Sequence, residues 1–258
     1  MFLADFHLHS NFSDGKLSIP SLVDYFGQRG FGAIAITDHF CEQRTLIGKT
    51  SSYLGVTLTH ATFPIYREIL KSEAERAWEH YRMCVIPGVE ITKNSISNHR
   101  SAHFLVLGTL EGIDPNQDIS DMSQTVRERG GIIIAAHPVS TRKMEKQTFH
   151  LWDRRYELRD KVDAWEVASG PYWFQEVEAS GLPLIANSDF HSFHNMTSWK
   201  TLLKCEKRQE AILDSIRKQK LEFSFYREEK RFDDHLGNRL GALVPKLDSF
   251  NLGNAASF

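Results

Sequence analysis

Histidine and carboxylate side chains recur along this chain next to or within apolar runs, in positions where they could bind metal ions. The first two, His7 and His9, lie two residues apart, and alternate residues of a strand point to the same face. Imidazole and carboxylate groups are ligands of zinc, manganese and iron. Six histidines and two acidic residues share this placement, which exceeds the needs of one ion and predicts two or three metal ions. They are His7, His9, His39, Glu90, His103, His137, Asp189 and His191.

The apolar runs that carry these residues have the lengths of buried strands, and helical segments separate them. Gly32–Thr37, Cys84–Val89 and Ile132–Ala136 are three such runs, and Arg208–Gln219 is an amphipathic helical segment. Roughly seven strands alternate with helices in this way, which is typical of a parallel α/β barrel. Loops at the C-terminal ends of the strands form the site of such barrels, so we expect the histidines and carboxylates to meet there.

The composition is that of an ordinary globular protein. Of 258 residues, 41% are apolar and 25% are charged, and the formal net charge is −2, which argues against nucleic-acid binding by bulk electrostatics. Three cysteines without a CxxC pair indicate reduced thiols rather than a disulfide framework or a thiolate zinc site. The N-terminus lacks a signal-peptide pattern, and no apolar run has membrane-spanning length. The sequence therefore predicts a soluble, cytoplasmic protein without membrane association.

The chain divides into a barrel domain and a tail. We expect residues 1–226 to form the α/β barrel and residues 227–258 to form a C-terminal tail that is loosely packed or contacts a partner. Residues 40–82 interrupt the alternation of strands and helices. This insertion is either a lid over one end of the barrel or a helix packed outside the core. The oligomeric state stays open.

Five short motifs stand at the ends of the apolar runs: Asp5–Ser10, Thr37–His39, Pro87–Glu90, Ala136–Pro138 and Ser188–His191. Together and in this order, they resemble the successive motifs of the PHP (polymerase and histidinol phosphatase) superfamily. The resemblance extends from residue 2 to about residue 226. It implies a distorted (β/α)7 TIM-like barrel, with a centre of two or three metal ions at the C-terminal ends of the strands that hydrolyses phosphoesters.

The resemblance also implies a role for each metal-binding position. It adds Asp14, which by itself could be a turn residue in Ser13-Asp14-Gly15. Glu90 would bridge two ions. The implied ligands are His7, His9, Glu90 and Asp189 for one ion, Glu90, His103 and His137 for a second, and Asp14, His39 and His191 for a third.

Charge indicates how such a centre would act on a phosphate. Three carboxylates, on Asp14, Glu90 and Asp189, face two or three divalent cations, which leaves a net charge of about +1 or +3. We expect a phosphate dianion to bind there and metal-bound hydroxide to attack phosphorus. No side chain is assigned as general base or general acid.

Residues near the predicted ligands could support them. Arg142 is the best candidate to contact the substrate phosphate, ahead of Lys143 and Lys93, although charged loop residues are often simply solvated. Asp5 and Asp38 alternate with predicted ligands along the chain. They either orient histidine rings or are ordinary residues at strand ends.

Several functions use this chemistry, and the sequence favours hydrolysis of a small phosphomonoester or nucleotide. An exonuclease-like phosphodiesterase acting on nucleic-acid ends is an alternative, but such enzymes normally add a basic groove with stacking aromatic side chains. An amidohydrolase-like metallohydrolase is a second alternative, since an HxH motif on the first strand also occurs there. A non-catalytic metal-binding domain is the alternative from outside the enzymes.

Overall fold

The computed structural model describes residues 1–42, 56–93, 101–139 and 149–228. Within these ranges the chain forms eleven strands and seven α-helices. The strands are β1 (Phe2–Leu8), β2 (Ala33–Ile36), β3 (His39–Cys41), β4 (Cys84–Lys93), β5 (Ala102–Leu107), β6 (Ile132–Ala135), β7 (Ala164–Ser169), β8 (Tyr172–Trp173), β9 (Leu184–Asn187), β10 (Ser198–Leu203) and β11 (Leu221–Tyr226). The helices are α1 (Ile19–Gly27), α2 (Phe63–Tyr81), α3 (Ile119–Glu128), α4 (Phe149–Asp153), α5 (Arg155–Leu158), α6 (Gln175–Glu178) and α7 (Gln209–Arg217).

The strands form one mixed sheet that curls into a half-barrel. Nine of them pair in the order β11-β10-β1-β2-β4-β5-β6-β7-β8, while β3 lies beside β4 and β9 lies beside β7. Just past the end of β9, Phe190 forms a parallel bridge with Leu8 of β1. The sheet therefore curls far enough for its later strands to meet its first strand. This is the α/β, barrel-like class that the alternation of strands and helices predicted.

The expectation of an all-parallel barrel is wrong at β5. This strand runs antiparallel to both of its neighbours, β4 and β6. Only residues 94–101 connect β4 to β5, whereas a parallel crossover needs a dozen residues or more. Two other antiparallel strands, β10 and β11, extend the sheet beyond β1. The very short strands β3 and β8 were not predicted, because two or three residues show no periodicity.

Two apolar clusters cover the two faces of the sheet. Ala33 and Ala35 of β2 belong to an inner cluster, which is formed by strand residues together with the apolar face of α7. Ile34 and Ile36 belong to an outer cluster, which contains the apolar faces of α1, α2 and α3. Successive residues of β2 thus alternate between the faces, as they do in a regular strand. The inner face is the one that leads to the candidate site.

The helical part of the predicted insertion packs outside the barrel. The Tyr66 hydroxyl of α2 donates hydrogen bonds to the carbonyl oxygens of Ile36 and Gly88, at 2.8 and 2.9 Å. On the neighbouring helix, Asp24 of α1 accepts a hydrogen bond from Arg76 of α2 at 2.6 Å. These contacts favour a packed helix over a lid for this part of residues 40–82. Residues 43–55 of the insertion lie outside the described residues.

The tail lies almost entirely outside the described residues. Met1–Arg227 forms one compact unit, and of the residues that follow it only Glu228 is described. The division into residues 1–226 and 227–258 stays a prediction. Among the described helices, none combines the length and the apolar character needed to cross a membrane.

Candidate metal centre

All nine side chains that were predicted to bind metal lie at one end of the sheet. His103 is the second residue of β5, and it reaches this end because β5 runs opposite to its neighbours. The nine residues fall into four overlapping groups, and within each group the potential ligand atoms lie within 4.8 Å of one another. The groups are His9, Asp14, His39 and His191; His7, His137 and Asp189; His7, His9 and Glu90; and His39, Glu90 and His103. His9 thus lies with the residues expected at the third ion as well as with those of the first.

An irregularity in β1 turns His7, and His9 just past the end of the strand, toward the inner face. Asp5 pairs with Ile34 and Leu8 pairs with Ile36, so β1 has one residue more than β2 over this stretch. Phe6 belongs to the inner cluster and Leu8 to the outer one, although strict alternation would place both on the same face. A bulge of this kind re-aims the side chains that follow it. Here it points His7 and His9 into the centre.

Glu90 lies at the middle of the centre and is fully buried. Its Oε1 lies 3.0 Å from His103 Nδ1 and 3.5 Å from His137 Nε2. Its Oε2 lies 2.7 Å from His39 Nδ1, and Nε2 of both His7 and His9 lies within 3.6 Å of the same oxygen. Each carboxylate oxygen therefore faces a different set of histidines. This is the arrangement that a carboxylate bridging two ions requires.

Asp189 and His137 have left-handed backbone conformations, with φ of 53° and 27°. Such conformations cost of order 1–3 kcal/mol each and persist only where the surroundings enforce them. The backbone next to Asp189 is fixed by Asp5, which accepts a hydrogen bond from Ser188 N at 3.0 Å. Asp5 also forms a fully buried ion pair with Lys200, at 2.7 Å between Oδ2 and Nζ. As a result, Asp189 Oδ1 lies 3.3 Å from Nε2 of both His7 and His9.

Asp38 fixes the loop that carries Asp14. Its carboxylate accepts hydrogen bonds from Ser10 N at 2.8 Å, from Ser10 Oγ at 2.6 Å and from Ser13 Oγ at 2.6 Å. Burial raises the pKa of Asp38, although these three donors oppose the rise. Asp5 and Asp38 therefore position backbone segments on either side of the centre. Among the described residues, the carboxylates of Asp5 and Asp38 contact these backbone segments and Lys200. Neither carboxylate forms a hydrogen bond with a described histidine ring.

In the absence of metal, the histidines of the centre differ in protonation state. Burial disfavours charge on His191, yet Asp14 and Asp189 outweigh it and raise the pKa of His191 to about 9. Burial also opposes charge on His7, but three neighbouring carboxylates raise its pKa well above the ordinary value. In contrast, burial and two neighbouring histidines lower the pKa of His9 to about 3. His9 is therefore neutral at pH 7, while His7 and His191 hold protons.

The carboxylates of the centre are ionised for the complementary reason. Burial disfavours the charged forms of Glu90 and Asp189, but the surrounding histidines outweigh it and lower the pKa of both well below ordinary values. The pKa of Asp14 is lowered in the same way, mainly by His191 against the effect of burial. The centre thus presents three anionic groups among its histidines.

Buried ring nitrogens without hydrogen-bond partners are consistent with a metal site at these residues. Among the described residues, His7 Nε2 and both ring nitrogens of His9 are buried and make no hydrogen bond of acceptable geometry. Buried polar atoms nearly always have a partner, so such atoms require an explanation. Imidazole nitrogens and carboxylate oxygens at this spacing are the donor set of zinc, manganese and iron sites.

Metal binding should release protons and should strengthen as the pH rises. A metal binds neutral imidazole, so the protons on His7 and His191 must leave first. We expect the affinity to increase from pH 6.5 to about pH 9, where His191 loses its proton. Without metal, the stability of the fold should change with pH in the opposite direction. The raised pKa of His191 stabilises the folded state at low pH, and this contribution is lost as the pH rises through about 9.

Isothermal titration calorimetry in buffers of different ionisation enthalpy measures this proton release directly. Affinity that is constant over the same pH range, with no released protons, would contradict the protonated states of His7 and His191.

Sequence reasoning missed Glu166. This residue is fully buried on β7, and its Oε1 accepts a hydrogen bond from His7 Nδ1 at 2.9 Å. The available signal was a carboxylate inside an apolar strand, Ala164–Ser169, where a charge is almost never found without a partner. Thr92 was also missed, and its hydroxyl lies 2.8 Å from His39 Nδ1.

Of the residues predicted to contact phosphate, only Lys93 lies among the described residues. Arg142 and Lys143 lie outside the described residues. Lys93 follows Thr92 on β4 and so faces the other side of the sheet, where its ammonium donates to the carbonyl oxygen of Gln117. Lys93 is therefore not placed to contact a phosphate in the centre.

Comparison with known families shows which family the chain belongs to. The PHP domain model matches residues 5–158, which is more than half of the chain. The chain belongs to the PHP domain family. The resemblance of the sequence motifs to PHP proteins is thus confirmed. Asp189 and His191 lie beyond the matched residues of this PHP protein, whereas the other predicted ligands lie within them.

Solved structures support the fold. The PHP protein is similar to a two-domain protein containing a predicted PHP-like metal-dependent phosphoesterase from Bacteroides vulgatus, with a TM-score of 0.61 and 21% identity. The similarity covers 87% of this chain and 65% of that one, so the chain spans about two thirds of the two-domain protein. No curated protein matches the chain.

Two further similarities are too distant to bear on the fold. One is to a candidate metal-dependent phosphoesterase from Bifidobacterium adolescentis, with a TM-score of 0.47 and 15% identity over 73% of this chain and 87% of that one. The other is to an amidohydrolase from Chromobacterium violaceum with bound sulfate and no metal, with a TM-score of 0.45 and 16% identity over the same two shares.

Proposed function

We propose that this PHP protein is a metal-dependent phosphoesterase that hydrolyses a small phosphomonoester or nucleotide. The observation that carries the proposal is the convergence of six histidines and three carboxylates at one end of the sheet, with buried imidazole nitrogens that lack hydrogen bonds. Family membership supports it, because seven of these nine residues lie within the stretch that the PHP domain model matches.

The chain's own residues would hold two or three divalent ions of zinc, manganese or iron. Glu90 would bridge two of them, as its two oxygens face different histidines. When bound, such ions supply Lewis-acid activation of water and of the phosphoryl oxygens. The neutral ring of His9 and the ionised carboxylates of Glu90 and Asp189 are already in the states that bind cations.

The substrate would enter from the side of Asp14 and His191. The side chains of Asp14, His191 and Asp189 are 42%, 30% and 28% exposed, while those of His7 and Glu90 are fully buried. A phosphate group would therefore reach the centre from this exposed side. Arg142, which lies outside the described residues, stays a predicted phosphate contact.

Activity against a panel of phosphoesters tests the proposal. Protein reconstituted with manganese or zinc is given p-nitrophenyl phosphate, nucleoside monophosphates, a phosphodiester and short single-stranded DNA. We expect phosphate release from a monoester or nucleotide that disappears on chelation. Degradation of the DNA alone would replace the proposal with the exonuclease-like alternative, and no hydrolysis of any member of the panel would contradict it.

A further inference from the structure

Glu166 lies behind the metal centre and contacts two of its histidines. Its Oε1 accepts hydrogen bonds from His7 Nδ1 and from Asn187 Nδ2, each at 2.9 Å. Its Oε2 accepts a hydrogen bond from the backbone N–H of His137 at 2.6 Å. The side chain is fully buried, and three donors satisfy its two oxygens. Glu166 does not belong to any of the four metal-binding groups.

The hydrogen bond to His7 determines which ring nitrogen faces the centre. A carboxylate has no proton to donate, so His7 Nδ1 must carry the hydrogen in this contact. In the neutral ring, Nε2 is then the nitrogen with a free lone pair. His7 Nε2 is also the atom that lies 3.3 Å from Asp189 Oδ1 and 3.6 Å from Glu90 Oε2. Glu166 therefore directs the lone pair of His7 at the metal-binding carboxylates.

The hydrogen bond to His137 acts on the backbone. His137 has a φ of 27°, which is costly for a residue with a Cβ, and its N–H is fixed by the 2.6 Å bond to Glu166. Asn187 completes the arrangement, because its Oδ1 accepts a hydrogen bond from the N–H of Phe6, next to His7. Glu166 and Asn187 thus join β1, β7, β9 and His137, which lies two residues past the end of β6.

We propose that Glu166 is a positioning residue that sets the ring nitrogen His7 presents to the metal and holds His137 in its strained backbone conformation. The inference rests on the metal centre of the proposed function and deepens it. Carboxylates that accept a hydrogen bond from a metal-binding histidine commonly orient the ring in this way.

The variant Glu166→Gln separates this role from simple packing. A Gln side chain has the same shape but only one oxygen, so its NH2 group must face one of the three donors that Glu166 accepts from. If the NH2 faces His137 N–H, the strained backbone loses its partner. If it faces His7, the ring must present Nδ1 as the acceptor, and Nε2–H then points into the centre. Either outcome damages a metal ligand.

We expect Glu166→Gln to bind zinc roughly 10- to 100-fold more weakly than the wild type, as measured by competition with a chelating dye. Glu73→Gln is the matched control. Glu73 is a largely buried carboxylate of α2 that accepts a hydrogen bond from Arg76 at 2.8 Å and belongs to none of the four metal-binding groups. It should keep the wild-type zinc affinity. Wild-type affinity in a folded Glu166→Gln variant would overturn the inference.

A measurement on the wild type keeps the inference testable even if the variant does not fold. In zinc-loaded protein with ¹⁵N-labelled histidine, long-range ¹H–¹⁵N spectra identify the protonated nitrogen of each ring. His7 should carry its proton on Nδ1, and a proton on Nε2 would overturn the inference. Both measurements report metal binding, so wild-type protein that binds zinc without hydrolysing any phosphoester would contradict the proposed function alone.

Discussion

Replacing Glu90 with Gln should abolish phosphate release and remove at least one bound metal ion. Glu90 is fully buried, and its oxygens lie within 3.6 Å of the ring nitrogens of five histidines. Gln keeps the shape, but it removes the charge and one of the two oxygens that would bridge the ions. Metal ions contribute several kcal/mol to such reactions, so we expect the rate to fall by at least about 10³-fold.

The measurement combines phosphate release with metal content of the same preparation. Glu73→Gln again serves as the control, because it makes the same chemical change at a largely buried carboxylate outside the centre. It should keep both metal content and turnover. Asp189→Ala should resemble Glu90→Gln and remain folded. A folded Glu90→Gln variant that retains full metal content and a rate near the wild-type value would contradict the bridging role.

Replacing Lys200 with Met should destabilise the protein by about 3–5 kcal/mol, the range for breaking a buried ion pair by removing one partner. Both side chains of the Lys200–Asp5 pair are fully buried, and the substitution leaves the charge of Asp5 without its counter-ion. Burial lowers the pKa of Lys200 despite the favourable effect of Asp5. Since total stabilities are typically about 5–15 kcal/mol, the loss is large.

Urea denaturation of the metal-free protein measures this effect without a contribution from bound metal. The double variant Asp5→Asn, Lys200→Met provides the comparison. Asn keeps an oxygen for the Ser188 N–H and removes the uncompensated charge, so the double variant should recover most of the lost stability. Equal stability of the Lys200→Met variant and the wild type would show that the ion pair contributes little.

Candidate ligands such as Glu90 and His103 could be located from the sequence because their positions follow from strand periodicity. Glu90 lies on the same face of β4 as Ile86, and His103 on the same face of β5 as Leu105. At each of these strands the inner face is apolar along its length and polar at the end that meets the centre. A polar residue at the end of an apolar run is therefore a sign of a site residue that can be recognised in a single sequence.

Other features depend on pairing between strands that are distant in the chain. The spacing of His7 and His9 placed them on one face, but the bulge in β1 decides which face, and it exists only relative to β2. The direction of β5 could have been inferred from its short connection to β4. The role of Glu166 could not have been inferred, since it accepts hydrogen bonds from three residues that are distant in sequence and come together only in the folded chain.

Stepwise return of metal to the metal-free protein, with bound metal and phosphate release measured in the same samples, tests whether this PHP protein is a metal-dependent phosphoesterase. We predict that hydrolysis of a phosphomonoester or nucleotide is absent without metal and rises as two or three equivalents of manganese or zinc bind. Protein that binds this metal fully and releases no phosphate, or that hydrolyses the substrate equally well without metal, would contradict the proposed function.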